Sequence, residues 1–112
     1  MINQNWNELS FKLVDYVLNN LKNINSNYLY HNVNHTINVV NYTHKIANES
    51  SVSDSNLKIL LTAALLHDYG FIQSHINHEE IGAKLSVDIL SKFDYNIDDI
   101  NLIQKLIIST DP

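Results

Sequence analysis

A chain of 112 residues that is 45% hydrophobic has enough apolar material for one compact core and too little length for a second domain. Its formal net charge of −5 argues against non-specific nucleic-acid binding, which needs a basic face. With no cysteine, disulfides and thiolate metal sites are excluded, so any metal must be held by His, Asp and Glu.

The first stretch, "MINQNWNELSFK", has no basic region followed by an apolar one. No apolar run approaches the roughly 18–20 residues needed to span a bilayer. The expectation is a soluble, cytoplasmic protein that does not enter membranes. Two glycines and one proline leave little punctuation for a many-turned sheet, and apolar residues recur with a helical period. Asparagine is abundant but mixed with periodic apolar residues, so it reads as codon bias in an AT-rich genome rather than as a disordered tract.

Trp6, Leu9, Leu13, Val17 and Leu21 predict a first helix over about 6–24. "NINSNYLY" breaks it, and Ile37, Val40 and Ala47 predict a second helix over about 33–48. "ESSVSDSN" offers several capping residues, and a third helix begins near Ser55. That helix carries Leu57, Leu60, Leu61, Ala64 and Leu65 on one side and Ile59, Ala63 and Leu66 on the other, the pattern of a central, buried helix. Gly70 is expected to stop it in the manner of a C-terminal glycine. "FIQSHIN" reads as a loop, followed by a fourth helix over about 78–92 with Ile81, Leu85 and Ile89 inward. Asn96 or Asp98 caps a fifth helix built on Ile100, Ile103 and Ile107. The expected fold is all-α, a compact bundle of about five helices around the third.

Polar residues stand in unusual places. "LLHDYG" puts His67 and Asp68 at the end of the most buried helix, where an unpaired charge is costly and the helix dipole disfavours a carboxylate. A divalent cation would answer both problems, and a helix-end His–Asp hydrogen bond is the plain alternative. In "YHNVNHT", His31 and His35 are four apart and share a helical face if the helix starts early enough. In "HEEIGAKL", His78 opens the fourth helix, with Glu79 and Glu80 placed well against its dipole. His44 and His75 read as structural or surface histidines.

Taken in order, these pieces resemble the HD superfamily of metal-dependent phosphohydrolases, an all-α family named for a His-Asp dyad at the end of a central helix. "YHNVNHTINVV" supplies the first histidine, "AALLHDYGF" the dyad, "HEEIGAKLSVDIL" the segment with a histidine before a Gly-Ala pair, and "LIISTDP" the helix before the last ligand. The likeness runs from about Tyr30 to Pro112, within one HD-like domain over residues 1–112. "YHNVNHT" is also similar to the signature of cyclic-nucleotide phosphodiesterases, although specificity for cyclic nucleotides does not carry over.

The resemblance implies that His35, His67 and Asp68 hold a metal, with Asp68 bridging two ions where two are present. It implies that His31 donates a proton to the leaving oxygen, making His31 and Asp68 the catalytic candidates, and that His78 is a ligand of a second ion. Family members complete the site with a later aspartate. Asp111 is the candidate here but comes early, which leaves open a partial domain, a site of three protein ligands or a degenerate site.

Two imidazoles and a carboxylate suit Mn, Fe, Ni, Co, Zn or Mg, as one ion or two. The implied reaction is hydrolysis of a phosphomonoester or phosphodiester in a small, nucleotide-like phosphorylated substrate. A catalytically inactive regulatory or ligand-binding module on the same fold is the competing expectation. A lyase, hydratase or oxygenase is a weaker one, because related folds host non-phosphate chemistry. A homo-oligomer is left open.

Overall fold

Ser10 decides where the first helix begins. In the computed structural model, which describes residues 6–22, 33–73 and 76–109, α1 spans Phe11–Leu21 and starts later than the apolar stripe suggests. The Ser10 backbone is extended, and its hydroxyl accepts the Leu13 N–H at 3.4 Å, satisfying a donor that the first helical turn leaves open. Trp6 and Leu9 are buried as expected, but on a turn closed by the Leu9 N–H donating to the Trp6 carbonyl at 3.0 Å. The Trp6 indole N–H donates to Asn41 at 2.7 Å. The apolar face survives and the helix start does not.

The remaining helices lie close to their expected ranges. They are α2 (Val33–Glu49), α3 (Asp54–Leu66), α4 (His78–Lys92) and α5 (Ile97–Ile108). Ser53 caps α3 and Asn96 caps α5, each with a side-chain oxygen accepting a first-turn N–H. Every residue of α3 from Leu61 to Leu66 is buried, as are Leu57 and Ile59. α3 packs against α1, α2 and α5, so it is the axis around which the others are arranged. All elements among the described residues are helical.

Gly70 does a different job from the one its position suggests. α3 ends at Leu66 with His67 still right-handed, and neither glycine has a positive φ. Gly70 lies instead inside a short 3-10 turn, Tyr69–Ile72, that occupies the start of the expected loop. A Cβ at Gly70 would overlap the His78 carbonyl oxygen and stand 2.8 Å from the Gly82 nitrogen. The backbone of the turn therefore touches the backbone of α4, and only glycine permits that approach.

The same contact corrects the inward face of α4. Gly82, Ala83, Ser86, Ile89 and Leu90 are buried, while Ile81 and Leu85 are only half-buried. Small residues face the 3-10 turn because backbone arrives there. The bulky pair is displaced to the flank. Asn20 of α1 holds the turn from the other side, donating to the Tyr69 hydroxyl at 2.8 Å.

Candidate metal centre

The end of α3 delivers two donors in succession. His67 keeps helical dihedrals, and Asp68 follows with φ −108° and ψ 9°, a bend that brings adjacent side chains toward one point. The His67 Nδ1 lies 2.6 Å from the Ala64 carbonyl oxygen, which can only accept, so Nδ1 carries the proton. Nε2 is thereby presented to Asp68 Oδ2, at 3.1 Å. His35, in the first turn of α2, brings its Nε2 to the same oxygen at 3.4 Å. The donor atoms of His35, His67 and Asp68 all lie within 4.8 Å of one another.

These separations suit a shared ion. Two donors each about 2.0–2.1 Å from one metal stand about 2.8–3.4 Å apart at octahedral to tetrahedral angles. Asp68 is only 4% exposed, and a carboxylate buried at a helix C-terminus needs positive charge beside it. The donor set, its spacing and the His67 tautomer, which leaves Nε2 free of a proton to act as a donor, all fit a divalent cation.

The two oxygens of Asp68 face different partners. Oδ2 meets His35 and His67, whereas Oδ1 meets His78 Nε2 at 3.4 Å. His78 therefore stands outside the three-donor cluster yet on the same carboxylate. Its ring is held by stacking on Phe71, with centroids 4.0 Å apart and planes 28° from parallel. Its Nδ1 lies 3.4 Å from Glu79 Oε2.

Burial works against the charged imidazolium of His67. The Asp68 carboxylate, through its hydrogen bond and its charge, outweighs that effect with help from the Ala64 carbonyl, and the pKa stands above the ordinary 6.5. One nitrogen can thus take either a proton or a metal.

Of the residues singled out from sequence, His35, His67 and Asp68 come together and His78 joins through the second oxygen. His31, His75 and Asp111 lie outside the described residues. His44 sits on α2, where its Nδ1 is 3.1 Å from Asn48 Nδ2 at the surface, consistent with a structural role. Sequence reasoning missed Glu79, read there only as a helix-start acid, which is buried beside His78. It missed the Ala64 carbonyl too. The spacing of Ala64 and His67 is the one signal that could have suggested that contact.

Among the described residues, no helix is long and apolar enough to cross a membrane. The family model of the HD domain matches residues 32–110. No curated protein and no solved structure is significantly similar to the chain.

Proposed function

Because this chain belongs to the HD domain family, we propose that it hydrolyses a phosphoester with a divalent ion held by His35, His67 and Asp68. The observation that carries the reading is the buried Asp68 carboxylate, met on both oxygens by imidazole Nε2 atoms. When bound, such an ion neutralises phosphate charge and acidifies water.

The chain's own groups do the positioning. The Ala64 carbonyl fixes the tautomer and plane of His67, as carbonyl partners of metal-binding histidines do. Phe71 and Glu79 fix His78 in the same sense. His78, facing Asp68 Oδ1, is the residue that would help hold a second ion where two are bound. Asp68 orients both halves of the site, because its two oxygens face His35 and His67 on one side and His78 on the other. The phosphomonoester or phosphodiester of a nucleotide-like compound remains the substrate reading, resting on the resemblance of the HD segments.

Metal analysis of the purified chain, with activity across a phosphomonoester and phosphodiester panel, tests the reading. Bound metal and hydrolysis that a chelator abolishes are expected. Metal-free protein that gains no activity on loading would favour an inactive, ligand-binding module instead.

A further inference from the structure

The donor cluster is the head of a longer feature. On α3, Leu60, Ala63, Ala64 and His67 recur at i, i+3, i+4 and i+7, forming one stripe that ends at the His67 ring. On α2, Val39 and Thr43 follow His35 at successive intervals of four, forming a stripe that begins at the His35 ring. α2 packs on α3, and the two rings lie 5.4 Å apart, so both stripes run away from the same point. Leu106 of α5 and Ser109, which caps that helix, make the facing wall.

The alanines keep the floor low. A space of about 230 Å³ beside His67 adjoins one of about 350 Å³ beside His35, with Val39 and Thr43 common to both. An engineered apolar cavity of about 150 Å³ encloses a benzene ring; this groove offers more volume but lies open to solvent, so it has room to seat one face of a ring-sized group. Apart from the two histidines, the described lining residues include no acidic or basic side chain. The chain has no arginine at all. A di- or triphosphate tail would find no guanidinium or ammonium in the described lining.

We propose that this groove receives the organic half of the substrate, and that this half carries an uncharged aromatic ring and a single phosphoryl group. The inference rests on the phosphoester-hydrolysis reading above and deepens it by naming the substrate class. The phosphoryl end lies at His35 and His67, and the ring extends along Val39 and Ala63. In the hydrolysis a water oxygen bonds to phosphorus and the ester P–O bond breaks. A proton passes to the departing oxygen, giving a neutral alcohol and inorganic phosphate.

Non-hydrolysable phosphonates test this without turnover. With the full chain loaded with Zn2+, phenylphosphonate is expected to bind at least about 10-fold more tightly than methylphosphonate by calorimetry. It should also shift the backbone amide resonances of Val39, Thr43 and Ala63. Ala63→Leu fills the floor and brings the affinity ratio to about one, with bound zinc unchanged. Leu106→Lys, on the half-buried rim, does the same without crowding the core. Equal phosphonate affinities in the wild-type chain, or a preference intact in both variants, overturn the inference alone. Failure to take up Zn2+ or any of Mn, Fe, Ni, Co and Mg overturns the hydrolase reading and this inference with it.

Discussion

At the scale of single side chains, His67 and Asp68 behave as a coupled donor pair. In metal-free protein the pKa of His67 is raised, so the folded chain holds that proton more tightly than the unfolded chain does. The resulting stabilisation is fully present below about pH 6.5, the unfolded value, and is lost as pH rises through the folded value. Thermal unfolding of metal-free wild-type and His67→Asn chains between pH 5 and 9 should therefore show a difference that shrinks as pH rises. A constant difference would contradict the coupling. Metal retention should move the opposite way and strengthen with pH, because the ion competes for the same nitrogen. Glu79→Gln should weaken metal retention by about 10-fold in competition with a chelator, and His44→Ala should leave it unchanged. The dyad was legible in sequence because two polar residues closed an apolar run. The support from Glu79 was not, because a glutamate opening a helix already has a sufficient explanation in the dipole.

At the scale of elements, the contact between the 3-10 turn and α4 sets the most demanding constraint. Gly70→Ala should cost about 3 kcal/mol in urea denaturation, since backbone rather than a flexible side chain stands in the way. Gly82→Ala should cost less, because its added Cβ would meet the Gly70 nitrogen at 3.2 Å. Equal losses would mean that the turn relaxes freely. A second tie joins α3 to the segment between α4 and α5. The Thr62 hydroxyl donates to the Lys58 carbonyl at 2.7 Å and so accepts from the Tyr95 hydroxyl, also at 2.7 Å. Tyr95→Phe should lower stability by about 1 kcal/mol in the same assay. Helix ranges were readable because Ser53 and Asn96 cap where periodicity begins. The start of α1 was misread because Trp6 and Leu9 keep the helical spacing through a turn that Ser10 ends. The glycine was misread because a local C-cap and a distant close approach leave the same single letter.

At the scale of the whole molecule, the all-α bundle around α3 followed from a helix apolar on every side. The apolar groove did not, because it depends on which stripe of α3 its neighbours leave uncovered. Chelation should lower the melting temperature, and metal at 100 times its dissociation constant should restore about 2.7 kcal/mol. An unchanged melting curve would separate the donor cluster from folding. The meeting of α2 and α3 at the site also gives it a direction. α2 enters by its N-terminal turn, through His35, and α3 by its C-terminal end, through His67 and Asp68. The peptide dipoles therefore present opposite signs to the same small volume: the α3 end favours a cation and the α2 end an anion. An otherwise acidic chain thus brings both signs of helix-end potential to the one small volume that a metal and the phosphoryl group beside it would share.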